Sequence, residues 1–484
     1  MTHFLSQIPI KIWRILALAA IALLTLVSFW MALRLHIWPL YAVPVIVVVT
    51  LQVIYNYRPL FFLMVFSLPV SLQYEFGTAF AIDVFSELLM LVFLLVFVLN
   101  TLAGRQFSRK GKVYVFHILI FLILFWTFFT TLTSEFVPRS TKFLLAKLWY
   151  LAAFVYMAEK IIENPKSIRQ IFWAFFIPMI VAVTGITLRH ASEGFSFEAS
   201  NGVAYPLFAN GVIYAATLVL FIPWCWYART WYSPRSLEWY VIHLGIAILA
   251  IATILTYKRG AWLALMILPL VDFAVKRKVF DKIVYIALLV TTLALAYLLN
   301  DNKFYEFAPN YQKTIWHEGD IQGHLQATLS GTEISSMERF YRWVAAKNMI
   351  ADMPLTGSGP STFNQVYKRY TDDAFRTYVS DNPEQSTTHN YFLLTFSEQG
   401  LIGGFLFLAL CVYMVVKASR LYPRMENAEY RSILMMALLS LITILFHSLL
   451  NELIEVDKIG PMFWLCLVII HKLEVWHEKK PITG

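Results

Sequence analysis

Charged side chains are scarce. Asp, Glu, Lys and Arg make up 14% of the 484 residues, against 59% hydrophobic. Soluble domains carry about 25% charged and about 45–50% apolar residues, so this balance excludes an ordinary water-soluble chain. Only three cysteines occur, Cys225, Cys411 and Cys466, each inside an apolar run. None has a C-x-x-C spacing or a histidine neighbour suited to a metal, so no disulfide framework is expected and the thiols read as buried and free. The sequence shows no internal repeat, no low-complexity tract and no polar domain at either end. The first apolar run, about residues 12–33, is too long for a signal-peptide core and lacks a cleavage site, and is expected as a retained helix.

What is present is apolar length. About fourteen apolar segments follow one another, most near the ~20 residues that span a bilayer. They lie at about 12–33, 37–55, 58–73, 79–102, 113–133, 140–161, 168–188, 205–228, 237–256, 261–275, 280–299, 390–416, 431–449 and 460–473. Two are short, so the expected fold class is an all-α polytopic membrane protein with about 12–14 transmembrane helices. Aromatics at 16% suit interfacial belts. The net charge of +9 is explained by basic residues flanking membrane helices, without nucleic acid.

Alternate loops carry the cations: Arg105, Arg109, Lys110 and Lys112; Lys160, Lys166 and Arg169; Arg229 and Arg235; Lys276, Arg277, Lys278 and Lys282; Lys417, Arg420, Arg424 and Arg431. The positive-inside rule assigns these loops and both termini to the cytoplasm. The interval from Asn300 to His389 then lies outside, as does the smaller loop 189–204. This divides the chain into N-terminal transmembrane helices (1–299), a large outer loop (300–389) and C-terminal transmembrane helices (390–484). So long an interval is uncommon unless it is functional or disordered. Ser335-Ser-Met-Glu338 resembles a capping box, and Met337, Phe340, Tyr341, Val344, Ala345, Met349 and Ile350 recur at helical spacing. That helix is expected to lie on the bilayer surface or over the membrane domain, with Pro354 stopping it. A second helical stretch is expected from Tyr367 to Tyr378.

Chemistry-bearing residues gather on the outer side. His389-Asn390 sits where the polar loop meets an apolar run, with Glu398, Gly400, Gly403 and Gly404 following inside that run. An imidazole with an ordinary pKa near ~6.5 can take a proton at physiological pH. Asn390 can orient a ring or a sugar hydroxyl. Tyr257-Lys258-Arg259-Gly260-Ala261-Trp262 places two cations at an outer helix end against the charge trend, reading either as interfacial anchors or as a phosphate site. Arg189-His190 is a similar case. For Arg339 and Arg342 a solvated helix face is the plain expectation. Glu75, Asp83 and Glu87 lie in or near early segments as partners for outer arginines or as an ion path. His447, Glu452, Glu455 and Asp457 cluster without a metal-ligand spacing.

Lys258-Arg259-Gly260-Ala261-Trp262, Glu338-Arg339, Trp343, Asp352-Met-Pro-Leu-Thr-Gly-Ser-Gly-Pro360, Phe363, His389-Asn390-Tyr391, Glu398-Gln-Gly400 and Gly403 follow in an order that resembles the O-antigen ligase and polymerase superfamily. The resemblance covers about 255–450. It implies a metal-independent glycosyltransferase of the bacterial inner membrane, without cofactor, working at the periplasmic face. The implied donor is a glycan on undecaprenyl diphosphate, and the implied acceptor is a hydroxyl, of lipid A–core oligosaccharide in a ligase or of a growing glycan in a polymerase. An O-linked protein glycosyltransferase is a third variant, and a small-anion or lipid-linked-glycan transporter is the competing class. The resemblance implies His389 and Arg259 as catalytic residues, acting on the acceptor hydroxyl and the donor diphosphate. Lys258, Glu338, Arg339, Arg342, Asn390 and Tyr391 are expected as substrate-binding residues, and Arg189 joins them only by its position at a helix end. The loop from Asn300 to Ser335 matches no motif and leaves the acceptor open.

Overall fold

The computed structural model describes residues 23, 26–31, 33–34, 56–76, 80–102, 113–308, 334–377, 380–382 and 385–478. The second expected segment, most of the first, the cationic loop 103–112 and loop residues 309–333 lie outside the described residues.

From residue 57 on, every expected apolar segment contains a helix. The order is α1 (Tyr57–Ser67), a hairpin of β1 (Leu72–Phe76) and β2 (Phe80–Val84), then α2 (Ser86–Leu102) and α3 (Val115–Leu132). Next come α4 (Val137–Ile161), α5 (Pro165–Ser192), α6 (Gly211–Ala228), α7 (Leu237–Leu255), α8 (Arg259–Lys276) and α9 (Phe280–Leu299). The loop contributes α10 (Ile334–Asp352) and the single turn α11 (Phe363–Val366). The chain closes with α12 (Tyr391–Leu421), α13 (Ala428–Ser448) and α14 (Gly460–Glu478). Eight helices among the described residues are long and apolar enough to cross a membrane. The protein is a multi-pass, all-α membrane protein.

Sequence fixes the ends of these helices. Asn164, Asn210, Ser236 and Asn427 each turn a side-chain oxygen back onto the first free amides of α5, α6, α7 and α13. α6 is buried almost throughout and packs on α13, where Ser440 Oγ donates to the Leu220 carbonyl at 2.7 Å. In contrast, α9 exposes Ile286, Leu289, Val290, Leu293 and Leu295 along its length, a surface suited to lipid and not to water.

Two expectations are corrected. The run 79–102 is not one segment: it opens as the second strand of an antiparallel hairpin, with Gln73 opposite Asp83. Polar residues alternating with apolar ones suit strands, not a lipid-facing helix. The expected second helix, Tyr367 to Tyr378, is not one: its described residues, 367–377, form two short 3-10 turns, Tyr367–Tyr370 and Asp373–Phe375, whose aromatics pack with α10. There Tyr341, Val344, Ala345, Met349, Phe363, Val366, Tyr367 and Phe375 make a second core with Leu394 of α12. The amphipathic helix α10 therefore packs over the membrane domain.

Candidate active site

The loop is seated on a break in α12. Gly400 has φ +68°, and a Cβ there would stand 2.0 Å from the Leu355 carbonyl oxygen. Gly357, φ +64°, would clash in the same way with the backbone of Glu398. Only glycine gives both the left-handed backbone and the close approach. Across this joint Ser358 N donates to Ser397 O (3.2 Å), Gly359 N to Glu398 O (2.8 Å) and Leu401 N to Pro354 O (2.8 Å). The buried Glu398 carboxylate accepts from the amides of Ser361 (2.8 Å) and Phe363 (2.9 Å). Ser140 of α4 donates to the Pro360 carbonyl at 2.7 Å, and Arg369 pairs with Glu135 at 2.5 Å. The Gly-Ser-Gly-Pro and Glu-Gln-Gly motifs are thus the two halves of one docking joint.

That joint delivers His389 to the start of α12. The residue adopts φ +51°, a left-handed backbone uncommon for a side chain with a Cβ. Glu452, just after α13, holds it there, accepting from the His389 backbone amide and from the Thr387 hydroxyl. Trp343 of α10 adds a bond from its indole N–H to the Thr388 carbonyl at 2.8 Å. The second Glu452 oxygen lies 4.0 Å from His389 Nδ1, a buried nitrogen without a hydrogen bond among the described residues. Burial pushes the His389 pKa below the usual imidazole value; Arg342 and Arg339 push the same way and Glu452 opposes them. The ring therefore lies beside a carboxylate and within the electrostatic reach of two guanidinium groups.

Arg342 and Glu338 are not on a solvated face: each is about 6% exposed. Arg342 Nη1 is 3.9 Å from Glu338 Oε2, and Glu338 also accepts from Thr377 and, at 2.7 Å, from Ser380. Arg339, one turn earlier, is half-buried.

The remaining expected residues fall into two groups. Asn390 is the N-cap of α12, its oxygen accepting from Leu393 N at 3.0 Å. The buried Tyr391 hydroxyl donates to Glu455, which also pairs with buried Lys147 at 2.5 Å. Arg259 opens α8, and a Cβ on Gly260 would meet Leu450 at 3.3 Å, so this helix start lies against the turn that carries Glu452. Lys258 donates to Asn201 at 2.5 Å, Tyr257 to the Phe195 carbonyl at 2.9 Å and Arg189 to the Tyr205 carbonyl at 2.5 Å. Lys258 and Arg189 therefore both grip the 189–210 loop, where His190 is likewise bound to the Ser196 carbonyl at 2.9 Å. Burial, with Arg259 alongside, lowers the Lys258 pKa. Asp83 pairs with buried Lys458 at 3.7 Å rather than with an arginine.

Residues 244–408 match the family model described as O-antigen ligase. This stretch is similar to the O-antigen ligase family. No curated protein matches the chain. The matched stretch begins within α7 and ends within α12, so it takes in Arg259, α10, the docking joint and His389. The match supports a glycan transferase of ligase or polymerase type, acting on lipid-linked glycans in a membrane. Glu452 lies beyond it, and sequence reasoning gave that residue no role. The distance of 63 residues between Glu452 and His389 hides their contact; the only sign was a carboxylate close to the end of an apolar run.

Proposed function

We propose that the chain moves a glycan from undecaprenyl diphosphate to an acceptor hydroxyl, with lipid A–core oligosaccharide as that acceptor. The observation that carries this reading is the placement of one imidazole, His389, beside the Glu452 carboxylate and within electrostatic reach of the arginines of α10. A depressed imidazole pKa keeps the ring neutral near pH 7 and ready to take a proton. With Nδ1–H turned to Glu452, Nε2 carries the lone pair, and the carboxylate stabilises the imidazolium that forms.

The step balances simply. The acceptor oxygen attacks the anomeric carbon while its proton passes to His389. The bond from that carbon to the diphosphate oxygen breaks, and its electron pair leaves with the lipid diphosphate. Arg339 and Arg342 provide forked donors for that anion, with Glu338 fixing the angle of Arg342. Arg259, with Lys258 and Arg189 at the neighbouring rim, extends the cationic surface. Asn390 and Tyr391 act by setting the start of α12. The chemistry needs no metal, because the diphosphate is already a good leaving group and positioning supplies most of the gain. In this reading the His389 end faces the periplasm across the inner membrane and both termini face the cytoplasm.

Purified protein in lipid nanodiscs tests the proposal, given an undecaprenyl-diphosphate-linked glycan with or without lipid A–core acceptor. Product formed only with lipid A–core supports the ligase. A ladder of longer lipid-linked glycans without it makes the chain a polymerase. Donor that binds but is never transferred, with either acceptor, refutes the transferase.

A further inference from the structure

A second cluster of chemistry-bearing side chains stands at the other end of the bundle. His117 lies in the first turn of α3, whose far end leads to the docking joint, about 25 Å away at 1.5 Å per residue. Glu159 lies in the last turn of α4, and His471 lies in α14. His117 Nε2 is 2.8 Å and His471 Nε2 3.9 Å from the same oxygen, Glu159 Oε1. One ligand atom from each of the three residues falls within a 4.8 Å span. Behind His471, its other ring nitrogen, Nδ1, is 3.5 Å from Glu474 Oε2. Both of those atoms are buried, and the same Glu474 oxygen also pairs with Lys417.

We propose that His117, Glu159 and His471 bind a divalent transition-metal ion, with zinc as the best fit, clipping α3, α4 and α14 together. Three observations converge. Two imidazoles and one carboxylate are the donor set of many zinc sites. Tetrahedral zinc, with bonds of about 2.0–2.1 Å, holds its ligand atoms about 3.3 Å apart, and the two measured separations bracket that spacing. Glu474 stands where a second carboxylate receives the outer N–H of a metal-bound histidine, fixing its tautomer and raising its basicity.

The surroundings are consistent with a closed inner wall and an open outer one. His471 is 4% exposed and stacks on Phe116 with ring centroids 5.0 Å apart, whereas the His117 side chain is 40% exposed, leaving water room for a fourth position. Lys472 Nζ donates to the Glu159 carbonyl oxygen at 2.9 Å, and Lys417 pairs with Glu474, so the local charge is not an excess of carboxylates. The bland alternative is a hydrogen-bonded ion pair between Glu159 and protonated histidine. It accounts for His117 and leaves unexplained why His471 Nε2 is also turned to the same Glu159 oxygen.

The test uses full-length protein in nanodiscs, stripped with chelator and dialysed free of metal, then titrated with Zn²⁺ and separately with Co²⁺. The expected result is one ion per chain, visible Co²⁺ absorption of a four- or five-coordinate site displaced by Zn²⁺, and a rise in unfolding temperature on Zn²⁺ addition. His117→Gln, at the more exposed ligand, should lose stoichiometric binding while keeping the apo unfolding temperature. Glu474→Gln should weaken Zn²⁺ about 10–100-fold. His477→Ala, at the same end but outside the cluster, should change nothing. Wild-type protein without stoichiometric binding, or His117→Gln and His471→Gln proteins binding like wild type, would overturn the proposal.

Discussion

Glu452→Gln separates positioning from chemistry at His389. The substitution keeps the shape and one carbonyl oxygen for the His389 amide, and removes the charge 4.0 Å from Nδ1. Two unit charges 4 Å apart interact by about 4 kcal/mol at an effective dielectric of about 20. His389 is 28% exposed, so solvent screening brings this to about 2 kcal/mol. If the imidazolium forms in the transition state, that loss slows the chemical step by roughly 30-fold. It also changes the pH profile, and the sign is fixed. Glu452 holds the His389 pKa up against burial and the two arginines. Without it the imidazole is a weaker base, and the acid limb of the rate profile moves to lower pH. Single-turnover transfer from a fluorescent lipid-linked donor, followed across acid to neutral pH, reads both effects. A slower enzyme whose acid limb stays put or moves up would refute the assignment of His389 as the titrating base.

Other outcomes follow from the same geometry. Arg342→Lys keeps the charge and loses the fork, so donor affinity should fall several-fold in a donor-binding titration, with Arg342→Ala falling further. Arg259→Ala should weaken donor binding and slow transfer; unchanged affinity would make Arg259 an interfacial anchor. Gly400→Ala forces a Cβ to 2.0 Å from the Leu355 carbonyl and should undock the loop, destabilising the protein by about 2 kcal/mol or more in thermal unfolding. Trp343→Phe removes one bond to the Thr388 carbonyl and should cost about 1 kcal/mol with only a modest loss of rate.

The helices were legible because a bilayer demands long apolar runs and tolerates few exceptions. The hairpin was not read, although Leu72-Gln-Tyr-Glu-Phe76 alternates as a strand does, because its apolar members merged with the runs on either side. At the site, His389 and the arginines of α10 stood out by residue type and order along the chain. Their sidedness was harder: helical periodicity places Arg339 and Arg342 on α10 without saying whether the aromatic turns 367–375 will cover them. Asn390 reads in the sequence as a residue that orients a ring or a sugar hydroxyl, whereas its side-chain oxygen accepts from the Leu393 amide of α12, the common role of an Asn before a helix. Glu452 and Glu455 were visible only as a cluster, since a carboxylate that meets a loop 63 residues earlier leaves no trace in local pattern.

The most direct test of the account is single-turnover transfer by His389→Ala, with donor binding measured on the same sample. The account predicts a loss of about 10²–10⁴-fold in transfer with donor affinity within a few-fold of wild type. Transfer at the wild-type rate by a variant that binds donor normally would contradict it.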